Sequence, residues 1–226
     1  MNRISATFIS LGLALVFFAG GLRAQMPAPD AHDHMAGPCP YVPKEKRPEF
    51  GCWRVAASRD LKFSQSMIYW HLRTFTSRAA ADVAKSPTGI VIEEDGRVWL
   101  SEFGSKEIAA RGGDLVAVVG PLELLPAKTY DAEIAYAVLR PGDRTPAHTH
   151  AGPEAWYMIA GEQCLETPEG IKRAGSGETM SVKHSVPMEL RIVGTNTRRS
   201  LTLVVHDSAQ GFGTNVNWKP TGACGS

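Results

Sequence analysis

Short apolar runs separated by turn residues dominate the second half of the chain. From about residue 129 they read EIAYAVL, TPAHTH, EAWYMIA, EQCLET, IKRA, ETMSV, MELRIV and LTLVV. Turn residues such as Pro141-Gly142, Gly152-Pro153 and Gly194 stand between them. Many short strands at close spacing, with no helical pattern between them, are typical of antiparallel sandwiches and barrels. The pattern therefore predicts a double-sheet jelly roll over residues 129–208.

The preceding segment, residues 50–128, has a mixed pattern. SMIYWHLRTF and DLVAVVGPLEL predict strands, and GIVIEEDGRVWLSEF predicts a hairpin because Asp95-Gly96 favours a tight turn. SRAAADVAK predicts a helix with Ser77 as its N-cap and Pro87 and Gly89 after its end. The whole chain is thus predicted to be mainly β, with a small α+β segment ahead of the barrel.

The amino terminus predicts export. Arg3 gives a short basic start, an uncharged apolar run continues to Leu22, and small residues lead to Ala24. This arrangement is typical of a secretory signal peptide over residues 1–24. An uncleaved anchor is the alternative, because the run is just long enough to cross a bilayer. Cleavage would give a periplasmic or secreted protein with no stable membrane insertion.

Two further segments are predicted to lie outside the folded units. Residues 25–49 are rich in Pro and charged residues and predict a flexible linker, and residues 209–226 predict a C-terminal tail. The net charge of the chain is only +1, and no block of basic residues occurs in it. Nucleic acid is therefore not an expected partner.

The four cysteines are interpreted in the light of export. An even number in an oxidising compartment suggests disulfides, and four cysteines allow three pairings. We favour Cys39–Cys52, which would close a short loop, and Cys164–Cys224, which would fix the tail. The alternative is that Cys164, within a predicted strand, is a buried free thiol.

The clearest chemical signal lies between residues 142 and 161. His148 and His150 are two apart on a predicted strand, so their side chains leave the same face. Glu154 begins the next strand after a turn, and its face is expected to meet the two histidines. Two imidazoles and a carboxylate form a three-ligand face for a divalent first-row metal, which could be Fe, Mn, Cu, Ni or Zn. Such a set leaves coordination positions open.

These positions resemble the first motif of the cupin superfamily. Gly142, five residues, His148, one residue, His150, three residues, Glu154, six residues and Gly161 match that motif without a gap. The resemblance covers about residues 129–208, and the chain is similar to exported bacterial cupin-domain proteins. It implies a barrel that binds metal through His148, His150 and Glu154, and it implies a homodimer.

The second cupin motif is altered in this chain. Its spacing from Gly177 places Met188 where the resemblance implies a fourth ligand, usually a histidine. Met188 is either an apolar filler of a three-ligand site or a soft ligand that favours copper. A fourth ligand from elsewhere is the remaining alternative, with His184 or His206 as candidates.

The presumed inner face predicts an apolar pocket. Trp156 and Met158 share the face of Glu154, and Met188 is expected beside them, which suits a small, weakly polar ligand. These strands show no obvious arginine or lysine for the interior apart from Lys183 at its rim, so a strongly anionic substrate is not expected.

Three functions follow from these expectations, and the sequence identifies no catalytic residue. The first is a metal-dependent, dioxygenase-like oxidoreductase that acts on a small molecule. The second is a non-catalytic cupin module that binds a small ligand or a metal, which the missing fourth histidine favours. The third is a metal-assisted isomerase, for which Glu162, Tyr157 and His184 are loose proton-transfer candidates.

Overall fold

The computed structural model describes residues 39–109 and 111–225 and is mainly β with antiparallel sheets. Within these ranges helix is confined to α1 (Arg78–Ala84) and two three-residue 3₁₀ turns. In chain order the strands are β1 Gly51–Leu61, β2 Met67–Phe75, β3 Ile90–Glu94, β4 Arg97–Gly104, β5 Asp114–Glu123, β6 Tyr130–Leu139, β7 His148–Thr149, β8 Glu154–Ala160, β9 Glu162–Thr167, β10 Gly170–Gly175, β11 Thr179–Val182, β12 Glu189–Val193, β13 Arg198–Asp207 and β14 Thr214–Asn215. The predicted signal peptide and linker residues 25–38 lie outside the described residues.

The barrel consists of two main sheets and a small one. A five-stranded sheet has the order β1-β6-β13-β8-β11, a three-stranded sheet the order β10-β9-β12, and β14 pairs with β7. His148 in β7 also forms a bridge with Met188, just before β12, so β7 lies beside the three-stranded sheet. The predicted jelly roll is confirmed, and each apolar run predicted from residue 129 onward contributes a strand.

Strand β1 was not predicted, and it belongs to the barrel sheet. It pairs antiparallel with β6, from Gly51 opposite Val138 to Leu61 opposite Tyr130. Its sequence, GCWRVAASRDL, has weak β propensity, and two register shifts interrupt its pairing. The division between residues 128 and 129 stays a prediction, but the sheet continues across it.

A second β layer covers the outside of the five-stranded sheet. Strands β3, β4, β2 and β5 form a four-stranded sheet, and its apolar side chains share one buried cluster with the outward faces of β6, β8 and β13. Trp99 of β4 contacts Tyr157 of β8 with ring centroids 5.9 Å apart. The central strands β6, β8 and β13 are therefore buried on both faces for most of their length.

The helix cap and the hairpin turn predicted from the sequence are both present in this layer. The backbone N–H of Ala80 donates to the Ser77 side chain at 3.2 Å, which caps the start of α1. Asp95 and Gly96 have φ angles of 54° and 70° and join β3 to β4. Positive φ at both central residues is what a type I′ hairpin turn requires, and Asp-Gly accommodates it.

Two disulfides close the chain as favoured from the sequence. Cys39 is bonded to Cys52 and Cys164 to Cys224. Cys164 is therefore not a free thiol. Among the helices of residues 39–109 and 111–225, none combines the length and apolar character needed to span a bilayer.

Candidate metal centre

The fold brings the three residues of the first motif together. One ligating atom from each of His148, His150 and Glu154 lies within 4.8 Å of the others. The histidines come from β7 and the residue after it, while Glu154 begins β8 in the opposite, five-stranded sheet. The predicted meeting of these side chains thus occurs between two walls of the barrel rather than within a hydrogen-bonded hairpin.

Backbone carbonyls orient both imidazoles. Nδ1 of His148 donates to the carbonyl oxygen of Pro146 at 2.8 Å, and Nδ1 of His150 donates to the carbonyl oxygen of Phe212. A carbonyl only accepts hydrogen bonds, so each Nδ1 carries a proton and the neutral ring keeps its lone pair on Nε2. This is the tautomer that binds a metal through Nε2, with the second nitrogen held by an outer partner.

The polar atoms that face each other fit a cation. Nε2 of His150 and Oε2 of Glu154 are 2.9 Å apart, yet both are buried and neither has a hydrogen-bond partner of ordinary geometry in the described part of the chain. With neutral His150 both atoms are acceptors, and a buried pair of acceptors is costly unless a cation or a proton lies between them. The donor set therefore fits a first-row divalent metal.

The titration of the two histidines supports this arrangement. Burial lowers the pKa of His148 below its ordinary value. Burial also acts to lower the pKa of His150, but the nearby charge of Glu154 and the hydrogen bond to the Phe212 carbonyl oxygen raise that pKa above its ordinary value. A proton on His150 therefore competes with a metal for the same position, and acid favours the proton.

A cavity of about 40 Å³ adjoins the three side chains. Trp156, Leu139 and Leu190 supply apolar walls, and the tail lines it as well. The space suits a few water molecules or a small ligand.

Arg198 also lines this cavity, and the expectation that the interior lacks an arginine is wrong. Its relative exposure is 2%. Within the described residues, Nε and Nη2 of its guanidinium have no hydrogen-bond partner. Burial lowers its pKa to about 9, against an opposing effect of Glu154; at neutral pH it remains charged.

The predicted pocket residues divide into two groups. Trp156 lines the cavity, and it also belongs to a buried apolar cluster that includes Met158 and Met188. The backbone of Met188 exchanges two 3.0 Å hydrogen bonds with that of His148. Met188 thus holds β7 in place through its main chain while its side chain packs among apolar neighbours, as in a filler.

The alternative fourth ligands do not join the candidate metal group. His184 is partly buried in the turn before β12 and is absent from the group formed by His148, His150 and Glu154 among the described residues. His206 lies in another buried group with Asp131 and Glu133. That second group contacts the Arg54 and Arg59 side chains, which already neutralise its carboxylates.

The tail contributes to the site in a way that the sequence did not predict. Phe212 orients His150 through its carbonyl oxygen, and its ring contacts the imidazole with centroids 5.1 Å apart. A Cβ at Gly213 would lie 2.9 Å from Cε1 of His150, so this approach requires glycine. Thr214 and Asn215 line the cavity. The pairing of β14 with β7 places them there, and no local motif signals such a long-range pairing.

Together, the two-sheet barrel and the His-His-Glu group in its interior define a cupin-like fold with a candidate metal centre. No protein-family model matches the chain, and no curated protein is similar to it in sequence.

Solved structures with a similar fold include cupin-like proteins and enzymes. A cupin-like protein from Thermotoga maritima is 14% identical over 41% of this chain and 67% of that chain, with a TM-score of 0.35. A DMSP lyase from Ruegeria pomeroyi is 17% identical over 38% of this chain and 43% of that chain, with a TM-score of 0.34. An oxalate decarboxylase variant from Bacillus subtilis is 18% identical over 38% of this chain and 24% of that chain, with a TM-score of 0.33. The match spans less than half of either enzyme.

Proposed function

We propose that this protein is an exported, metal-dependent oxidoreductase that acts on a small molecule inside a cupin-like barrel. His148, His150 and Glu154 would hold a divalent first-row metal. The observation that carries the proposal is the buried Nε2–Oε2 pair of His150 and Glu154, 2.9 Å apart and without hydrogen-bond partners in the described residues. When bound, such a metal would supply Lewis-acid or redox activation at coordination positions that the protein leaves open.

The protein's own residues position and shield this centre. Pro146 and Phe212 orient the two imidazoles through their carbonyl oxygens. Both Nε2 lone pairs are therefore available to a metal before it binds. Trp156 and Leu190 make the cavity wall apolar. An apolar wall limits water at the site and strengthens the attraction between charges inside it.

A non-catalytic binding module is the second candidate, and one observation favours it. The candidate metal group has three members in the described residues, and Met188, at the position of the implied fourth ligand, lies in an apolar cluster. Such a barrel could hold a metal or a small ligand without turning it over.

For the isomerase hypothesis, none of the three candidate proton-transfer residues lines the candidate metal cavity. Tyr157 packs against Trp99 on the outside of the barrel sheet, and Glu162 pairs with Arg173 at the surface, with both side chains 42% exposed. His184 is partly buried in a turn. Export and a homodimer stay predictions.

Metal analysis of the purified protein tests the proposal. We expect about one equivalent of a first-row metal in the wild type and a loss of at least tenfold in occupancy in His148→Ala/His150→Ala. His184→Ala is the matched histidine control and is expected to retain the metal. A wild type whose substoichiometric metal does not fall further in the double variant would contradict the proposal.

Oxygen uptake then separates the enzyme from the binding module. The protein is loaded in turn with Fe(II), Mn(II) or Cu(II) and supplied with phenols, dicarbonyl compounds and small carboxylates. Uptake that depends on both metal and His148 supports an oxidoreductase. Stoichiometric metal without uptake on any member of the panel supports the binding module.

A further inference from the structure

Arg198 is the one buried cation that lines the candidate metal cavity among the described residues. It begins β13, on the inner face shared by Ser200 and Thr202, whereas its neighbour Arg199 is exposed and pairs with Asp95 at 2.9 Å. Arg198 forms no salt bridge within the described chain, and its Nε and Nη2 lack hydrogen-bond partners there. A guanidinium buried in this way costs several kcal/mol unless an anion meets it.

Glu154 does not supply that anion at contact distance. Its charge attracts Arg198 electrostatically, but its Oε2 atom lies 2.9 Å from Nε2 of His150. A metal bound there would draw on the same carboxylate. Arg198 therefore keeps two donor atoms without partners among the described residues, with or without a metal, and a bound metal would add further positive charge. The carboxylate of a small ligand would pair with these donors in either case.

We propose that Arg198 binds the carboxylate of a small substrate inside this cavity. The Nε and Nη2 atoms form one edge of the planar guanidinium, the edge that pairs with both oxygens of a carboxylate. Thr202, which is 5% exposed, lines the same cavity and offers a hydroxyl. The cavity of about 40 Å³ limits the ligand to a few heavy atoms. This inference deepens the proposed function, because the far end of such a ligand would lie towards the metal group, and it replaces the weakly polar ligand expected from the sequence.

Glycolate and glycolamide provide matched probes, because they differ in charge but hardly in size. Calorimetric titration of the metal-free protein is expected to show glycolate binding at least tenfold tighter than glycolamide. A charge-assisted pair contributes about 10- to 100-fold in affinity. Arg198→Met should reduce the preference to about twofold or less. Arg198→Lys should retain only part of it, because ammonium keeps the charge without the planar fork. Arg199→Met, on the same strand but facing outward, should leave it unchanged.

Thermal unfolding supplies a readout that a merely structural arginine would not give. Methionine replaces an unpartnered buried charge by an apolar chain of similar length, so Arg198→Met without ligand is expected to be at least as stable as the wild type. Glycolate should raise the midpoint of the wild type but not that of Arg198→Met.

Equal binding of glycolate and glycolamide by the wild type would overturn the inference, even if the variants failed to fold. A full preference retained by Arg198→Met would also overturn it. These measurements need no metal, so their failure leaves the metal proposal intact. Conversely, a wild type that binds no metal but prefers glycolate would refute the proposed function and not the role of Arg198.

Discussion

A buried carboxylate in strand β6 should contribute strongly to the acid stability of this protein. Glu133 of β6 has a side chain that is 2% exposed. It accepts hydrogen bonds from Tyr41 at 3.0 Å, Arg59 at 3.1 Å and Arg54 at 3.2 Å. His206 Nε2 lies 3.3 Å from the same carboxylate. The perturbation is Glu133→Gln, which keeps the size of the side chain and removes its charge.

The expected loss of stability in this variant follows from the pKa of Glu133. Burial acts to raise this pKa, but hydrogen bonds from His206 and Tyr41 and the charges of two arginines lower it from 4.5 to about 2. At about 1.4 kcal/mol for each tenfold change in proton affinity, this corresponds to about 3 kcal/mol. Arg59 has a side chain that is 47% exposed, so solvent screening reduces its share, and we expect about 2 kcal/mol.

The direction of this pKa shift determines the pH range over which Glu133 stabilises the fold. The folded pKa lies below the unfolded one, so this stabilisation is complete above pH 4.5 and disappears as the pH falls towards 2. The free energy of unfolding, measured with urea at intervals from pH 7 to 2, should be about 2 kcal/mol lower in Glu133→Gln at pH 7. The two curves should converge below pH 3. Other carboxylates titrate in both proteins and cancel from the difference.

Glu93→Gln is the matched control, because the Glu93 side chain is 52% exposed and pairs with Arg78 only at 3.5 Å. This variant should differ from the wild type by less than about 1 kcal/mol at every pH. If the difference between the wild type and Glu133→Gln were the same at pH 7 and pH 2, the reasoning about Glu133 would be wrong.

Two further predictions concern a crowded glycine and the two disulfides. A Cβ at Gly152 would lie 1.6 Å from the carbonyl oxygen of Val205, so Gly152→Ala should lower the free energy of unfolding in urea by about 3 kcal/mol or more and lower metal occupancy. Gly211→Ala is the control, because a Cβ there would meet open space, and it should leave stability unchanged. Equal stability of the two variants would contradict the prediction. Replacing both cysteines of Cys164–Cys224 by serine should lower the free energy of unfolding by about 4 kcal/mol, and the same change at Cys39–Cys52 should lower it by about 3 kcal/mol. The difference follows from loop entropy, because the two bonds span 60 and 13 residues. A larger loss for the shorter loop would show that native packing dominates over loop closure.

The sequence predicted those parts of the structure that local signals specify. The turn residues and apolar runs after residue 129 identify the strands of the barrel, and Asp95-Gly96 identifies a hairpin. The spacing of His148, His150 and Glu154 places three side chains in one site, because side chains two apart on a strand leave the same face. The weak pattern of β1 and the two-residue strand β14 escaped prediction, since both are formed by pairing with strands distant in the chain.

Arg198 was missed for a different physical reason, which lies in the layering of the fold. An alternating strand normally distinguishes a polar, solvent-facing side from an apolar core side. In β13 all residues from Ser200 to His206 are buried, because the four-stranded sheet covers the outer face with Leu201, Leu203 and their neighbours. The face that carries Arg198, Ser200 and Thr202 therefore looks like a solvent-facing side in the sequence, although it faces the barrel interior. Because the covered outer face of β13 is apolar, the polar residues of this strand lie on its inner face. One of them, Arg198, is thereby available to a ligand in the candidate metal cavity.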